Sequence, residues 1–82
     1  MDSDAIKYPN LWEYLIITTD KISLLESINN AFETKEYSIK LSKKSKNKNY
    51  ESFVFQIEVS SKIEKDEIFQ TIAKMKNVKV II

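Results

Sequence analysis

Hydrophobic and polar residues follow two different periods along this chain, and the changes of period divide it into six elements. The segment from Trp12 to Thr19 is aromatic and β-branched, which predicts a strand. Tyr37–Leu41 and Phe53–Val59 alternate apolar and polar residues with a period of two, as half-buried strands do. A short apolar run from Val78 to Ile82 predicts a last strand. The first strand is apolar at both parities, which favours a central position in a sheet.

Two segments between these strands repeat their apolar residues every three to four positions and are predicted to be amphipathic helices. The first follows Asp20, a good N-cap. We expect its buried stripe to consist of Ile22, Leu25, Ile28 and Phe32. The second begins at Ser61, where Ser-x-x-Glu forms a capping box, and its stripe contains Ile68, Ile72 and Met75.

The order β-α-β-β-α-β predicts an α+β protein with a ferredoxin-like sandwich. Right-handed crossovers put both helices on one face of a four-stranded antiparallel sheet, with the first and third strands central and Tyr37–Leu41 at an edge. We expect the core to be built on Phe53, Phe55, Ile57 and Val59. Residues 1–7 are predicted to be a flexible N-terminal lead and residues 8–82 a single domain.

Composition restricts the chemistry of the 82 residues. Thirteen basic and twelve acidic side chains give a net charge of +1, so no overall field attracts nucleic acid or anionic membranes. The sequence has no cysteine, histidine or glycine, which argues against thiol chemistry, the common triads, soft zinc sites and P-loops. It shows no signal peptide and no apolar run of about 20 residues. We therefore expect a cytoplasmic protein that is not an enzyme, with no cofactor and no membrane partner.

A lysine-rich segment precedes the third strand. Residues 43–49 are predicted to be the hairpin loop, and the candidate interaction residues there are Lys43, Lys44, Lys46, Lys48 and Tyr50. One interpretation is a solvated turn; the alternative is a patch that binds nucleic acid weakly and without sequence preference. The parity of the third strand argues against an RNA-recognition motif, because Phe53 and Phe55 share their face with Ile57 and must be core.

Acidic residues cluster at the start of the second predicted helix, at Glu64, Asp66 and Glu67. Two of them, Glu64 and Asp66, are two positions apart and do not face one another on a helix. Acids in a first turn are favoured by the helix dipole, so we interpret them as a solvated face and predict no metal site.

Four features occur together in this chain: Tyr8-Pro9, the aromatic residues Trp12 and Tyr14, the arm Ser45 to Ser52 with Tyr50, and the ending Val78–Ile82. Together they resemble the YbeD-like family, a set of small bacterial proteins of unknown function. The resemblance implies a ferredoxin-like domain similar to the ACT regulatory domains that sense amino acids. It carries over no catalytic residue.

An ACT-like fold implies a small-molecule site at the first strand-to-helix turn, which here is Thr18, Thr19 and Asp20. The simpler interpretation is that Asp20 only caps the helix. Leu15 and Thr18 stand where relatives often have Lys-x-x-Gly, and a turn without glycine hinders the approach of backbone amides to a ligand.

Our first hypothesis is therefore a regulatory or adaptor module that binds a protein partner, in a fold that also allows a homodimer. The second is an ACT-type sensor of amino acids. Weak binding of nucleic acid through the lysine-rich loop comes third, and an enzyme last.

Overall fold

The computed structural model describes residues 7–44 and 50–82. Its six elements have the predicted order β-α-β-β-α-β, and the four strands form one antiparallel sheet in the order β2-β3-β1-β4. They are β1 (Asn10–Thr18), α1 (Lys21–Ala31), β2 (Tyr37–Lys44), β3 (Glu51–Val59), α2 (Lys62–Ala73) and β4 (Val78–Ile81). The predicted ferredoxin-like α+β fold is confirmed, with β1 and β3 central and β2 at an edge.

The register of the two central strands separates a helix-covered face from an open face. Residue 10 of β1 lies opposite Val59 and residue 18 opposite Glu51, so the strands pair along their full length. Even-numbered residues of β1 and odd-numbered residues of β3 point towards the helices. All four predicted core residues of β3 are buried, at Phe53, Phe55, Ile57 and Val59.

An aromatic cluster occupies the centre of the core. The ring centroid of Phe55 lies 5.4 Å from that of Phe32, 5.4 Å from that of Tyr37 and 6.1 Å from that of Tyr14. Offset and tilted pairs at such distances add to the free energy gained by burial. Trp12 lies partly buried at the margin of this core, with the Lys65 ammonium 4.2 Å from its ring centroid. Trp12 therefore lies on the helix side of the sheet, where it packs against the core and makes a cation–π contact with Lys65 of the second helix.

The buried side of α1 differs from the predicted stripe. Ile28 and Phe32 are buried as expected, but Ile22 is 68% exposed and Leu25 36% exposed, and Leu24 is buried in their place. The predicted inward positions of Ile22 and Leu25 are therefore wrong. At about 100° per residue, Leu24 and Phe32 lie about 40° on either side of Ile28, while Leu25 lies about 60° and Ile22 about 120° from it. The burial is centred on Ile28, which moves Ile22 out into solvent.

The second helix agrees with its sequence signal. Ile68 and Ile72 are buried, and the Ser61 hydroxyl accepts a hydrogen bond from the Glu64 amide at 3.1 Å. The Glu64 carboxylate returns to the amide of Ser60 at 2.6 Å, one residue before the position that the capping box predicts. Tyr14 joins β1 to this helix, because its hydroxyl donates to the Lys65 carbonyl at 2.8 Å.

Strand β2 is longer than predicted and contains an irregularity. Leu41 lies opposite Phe53 but Lys43 lies opposite Ser52, so Ser42 is an extra residue in β2, a β-bulge. The strand was expected to end at Leu41, and this is wrong because backbone pairing resumes after the bulge and continues to Lys44.

Candidate functional site

The predicted ligand turn is held by hydrogen bonds to its own neighbours. Thr18 is fully buried; its hydroxyl donates to the Asn77 carbonyl and accepts from the Asp20 amide at 3.0 Å. The Asp20 carboxylate accepts from the amide of Ser23 at 3.1 Å and from its hydroxyl at 2.9 Å. These two bonds, the one from the amide first, hold the pKa of Asp20 below its usual range. The interpretation of Asp20 as the N-cap of α1 is confirmed.

A shallow cavity of about 560 Å³ opens beside this turn. It is lined by Thr19, Asp20, Ser23, Glu26, Ser27, Asn30, Met75, Lys76 and Asn77. The Asn77 amide nitrogen donates to the Ser27 hydroxyl at 3.3 Å, and its Oδ1 is buried and has no hydrogen-bond partner among residues 7–44 and 50–82. Since a buried acceptor without a partner costs free energy, Oδ1 is the polar atom here that a ligand would satisfy.

The lysine-rich segment is described only in part. Lys43 and Lys44 belong to the backbone of β2, opposite Ser52 and Glu51, and not to the predicted loop. Lys46 and Lys48 lie outside the described residues. Tyr50 precedes β3 and is exposed. The structure therefore does not bring the five candidate interaction residues together into one described site.

Among the acidic residues of α2, Glu64 has partners within the fold. The Glu64 carboxylate accepts a hydrogen bond from the Lys35 ammonium at 2.8 Å, and this bond is the main cause that lowers the pKa of Glu64. Asp66 and Glu67 are exposed. Within residues 7–44 and 50–82, histidine, cysteine and acidic side chains form no group of three or more that would hold a metal ion.

The open face of the sheet carries apolar side chains in two adjacent rows. In one row Lys40, Val54 and Leu15 lie on neighbouring strands, followed by Ile82, which exchanges backbone hydrogen bonds of 3.0 and 3.2 Å with Leu15. The next row contains Ser52, Ile17 and Val80. We define the open-face patch by its apolar members, Leu15, Ile17, Val54, Val80 and Ile82.

This patch is accessible in the described part of the chain, where both helices lie on the other face. Val80 is 44% exposed, and Leu15, Ile17 and Val54 are half-buried among their neighbours in the sheet. A polar row borders the patch, in which the Gln56 amide donates to the Glu13 carboxylate at 2.7 Å.

Sequence reasoning did not find this patch, although its signal was present. The apolar residues at both parities of β1 favoured a central strand, and they also place apolar side chains on the face that the two helices leave uncovered. Val54 and Val80 lie beside the outward-facing residues of β1 because of the strand order and the register of β4. The period of a single strand reveals neither of these.

Nearly the whole chain matches one known protein family. Residues 3–82 match the family described as "Protein of unknown function (DUF493)". The chain belongs to this family. The resemblance to the YbeD-like family is thereby confirmed, since YbeD-like proteins are the DUF493 family.

Relatives of this DUF493 chain occur in Helicobacter pylori. An uncharacterized protein of strain J99 is 33% identical over 76 residues, which cover 92% of this chain and 87% of the relative. An uncharacterized protein of strain 26695 is 35% identical over 83 residues, with 95% of each chain covered. These likenesses identify the family and assign it no activity.

Two solved structures resemble this chain in fold. The solution structure of protein HP0495 from H. pylori has a TM-score of 0.81 to this chain at 33% identity, covering 94% of this chain and 85% of the other. A second solution structure of HP0495 gives a TM-score of 0.67 at 31% identity, with both chains covered completely. Within the described residues of our DUF493 chain, neither helix is long and apolar enough to cross a membrane.

Proposed function

We propose that this DUF493 protein acts as a non-enzymatic interaction domain, in a regulatory or adaptor role, and that the open-face patch is where a protein partner docks. The observation that carries the proposal is the two-row patch of apolar side chains on the face opposite the helices. The predicted cytoplasmic location is part of this proposal.

The patch is unusual for the solvent face of an antiparallel sheet. Such sheets normally alternate apolar residues inwards with polar residues outwards. In β1 the outward positions include Leu11, Leu15 and Ile17 together with a single charged residue, Glu13. Contiguous apolar side chains with a polar border are typical of surfaces that bind other proteins.

The border defines the chemistry of the partner. The carboxylate of Glu13 and the ammonium group of Lys40 lie on different rows, and both side chains are exposed. A complementary surface has an apolar centre, a hydrogen-bond donor or cation over Glu13, and no cation over Lys40. Backbone or base recognition of nucleic acid is disfavoured here, because Glu13 and Glu58 lie on the same face.

Affinity capture with matched variants tests the proposal. Val80→Lys introduces a charge into the patch at an edge strand, and Ile63→Lys introduces the same charge on α2, where Ile63 is 71% exposed. We expect a nuclease-resistant partner to be captured from the native host by the wild type and by Ile63→Lys, and to be lost with Val80→Lys. Equal capture by all three folded proteins would exclude the patch, and loss of the partner on nuclease treatment would favour nucleic acid instead.

The second candidate function is the small-molecule sensor at the turn Thr18–Asp20. The observation in its favour is the Asn77 Oδ1 beside the cavity, which is buried and has no hydrogen-bond partner in the described part of the chain. A sensor should show chemical-shift changes at residues 18–22 on titration with amino acids, together with a rise in melting temperature by linkage. Against it, the Asp20 and Ser23 amides already have partners within the chain. A flat response to all amino acids at millimolar concentration would exclude this candidate.

A further inference from the structure

On the open face, the central strands β1 and β3 carry similar side chains at positions that lie opposite each other. Val54 of β3 lies opposite Leu15 of β1, and Gln56 of β3 lies opposite Glu13 of β1. A two-fold axis parallel to the strands, between β1 and β3, keeps each row in place and exchanges these two strands. Each row of one copy then meets the same row of a second copy.

In the Leu15–Val54 row and the Glu13–Gln56 row this operation brings complementary groups together, and at the end of the face Leu11 meets Glu58 of the second copy. Leu15 meets Val54 of the second copy and Val54 meets its Leu15, so two apolar contacts form about the axis. Glu13 meets Gln56 of the second copy, and the amide that already donates to Glu13 at 2.7 Å shows that this pair hydrogen-bonds readily. Lys40, at the β2 end of the row, lies over the β4 end, where its aliphatic stem covers apolar surface and its ammonium reaches water.

The other face-to-face arrangement is disfavoured by charge. A two-fold axis perpendicular to the strands, in the plane between the sheets, places β2 over β2 of the second copy. Lys40 then approaches the lysine-bearing edge strand of the other copy, a like-charge contact that costs free energy. The charge pattern therefore selects the axis parallel to the strands.

The dimensions of the face suit a dimer of low affinity. Four strands about 4.8 Å apart and a central strand of nine residues give a face roughly 20 Å wide and 30 Å long. Two such faces bury about 1,200 Å² at most, at the lower end of the range of about 1,200–2,000 Å² for stable interfaces. Aligned sheets pack about 10 Å apart, which leaves room for the side chains of both patches.

The geometry points to a homodimer in which the open faces of two copies pack against each other about a two-fold axis parallel to β1 and β3. This inference rests on the proposed function, since it identifies the protein that docks on the open-face patch as a second copy of the chain. Interfaces at the low end of this size range are typical of transient association, and we expect a dissociation constant of about 10⁻⁶–10⁻⁴ M.

Sedimentation equilibrium over a concentration series tests the inference on the full chain. We expect Leu15→Lys and Val54→Glu each to weaken the dimer at least about tenfold, because each buries two uncompensated charges. Ile63→Lys, on the helical side, should leave it unchanged. Mixing Leu15→Lys with Val54→Glu should restore dimers as a heterodimer, since the ammonium introduced in one chain then faces the carboxylate introduced in the other, whereas an indirect structural defect would not be repaired by mixing.

The outcomes separate this inference from the function on which it rests. A wild type that stays monomeric at millimolar concentration overturns the homodimer. In that case a partner lost with Val80→Lys in the capture experiment would still support docking of a different protein on the open-face patch. A dimer that tolerates Leu15→Lys, or no heterodimer on mixing, overturns the two-fold packing. Amide spectra establish that each variant is folded. If a variant of the central strands does not fold, Val80→Lys at the edge strand replaces it, and this variant should also weaken the dimer.

Discussion

Replacing Phe55 with alanine removes the side chain on which the assignment of the two sheet faces depends. Phe55 is fully buried, and its ring contacts the aromatic cluster on the helix side of the sheet. Val54, the preceding residue, is half-buried on the open face opposite Leu15. Alanine at these two adjacent positions therefore tests which face is the core.

The expected losses differ several-fold. Truncating a buried phenylalanine costs about 3–5 kcal/mol, and the three aromatic neighbours of Phe55 favour the upper end of that range. A domain of this size has a free energy of unfolding of about 4–12 kcal/mol, so Phe55→Ala removes much or all of it. Val54→Ala removes two half-buried methyl groups and should cost about 1 kcal/mol or less.

Urea unfolding followed by far-ultraviolet circular dichroism measures both values. With a slope of about 1 kcal/mol per molar urea for a small domain, Phe55→Ala lowers the midpoint by roughly 3 M or more, and Val54→Ala by about 1 M or less. If Phe55→Ala does not fold, Phe55→Leu should still lose about 1–2 kcal/mol. Equal losses at the two positions, or a larger loss at Val54, would show that the faces are assigned wrongly.

Three further predictions concern single polar groups. Burial, together with nearby acidic residues, raises the pKa of Tyr14 from 10.0 to about 12. The protonated hydroxyl therefore contributes its full share to the free energy of unfolding below pH 10, and this contribution is lost as the pH rises through 12. Tyr14→Phe should be less stable than the wild type by about 0.5–1.5 kcal/mol at pH 7, and that gap should close between pH 10 and 12; a gap independent of pH would contradict the assignment. Ser61→Ala should cost about 0.5–2 kcal/mol in thermal unfolding, with Ser60→Ala as a control near zero, and equal losses would argue against the cap. Because the pKa of Asp20 is lowered from 3.8, the wild type should exceed Asp20→Asn in stability above about pH 4 and lose that advantage as the pH falls, whereas a constant difference down to pH 2 would show that the charge plays no part.

Much of the fold could be predicted from the sequence because most elements have a period that their own residues reveal. The alternation from Phe53 to Val59 determines which face of β3 is buried, and Asp20 and Ser61 mark the starts of both helices. These signals are local, and the structure agrees with each of them.

The predictions for α1 and β2 were wrong at places where one local sequence pattern is compatible with two different structures. In α1 the apolar residues Ile22, Leu24, Leu25 and Ile28 cover more than one side of the helix, and the sequence does not state which side meets the sheet. The contact between Phe32 and Phe55, 5.4 Å between ring centroids, belongs to the tertiary structure and favours the rotation that buries Leu24. In β2, likewise, the bulge at Ser42 is a relation between two strands, so no residue type within one strand announces it.

The apolar side chains of the open face have two sources, and only one of them concerns function. Valine and isoleucine are favoured on the half-buried surfaces of strands, so β-propensity contributes to the presence of Ile17, Val54 and Val80 on this face. Leucine is not β-branched and gains little from a strand unless it is covered. Leu15 lies in the middle of β1, at the centre of the open face, where the cross-strand contact with Val54 stabilises the sheet by only about 0.2–1 kcal/mol. Leu15 is therefore weakly explained by folding alone, which supports our proposal that a second surface packs over it.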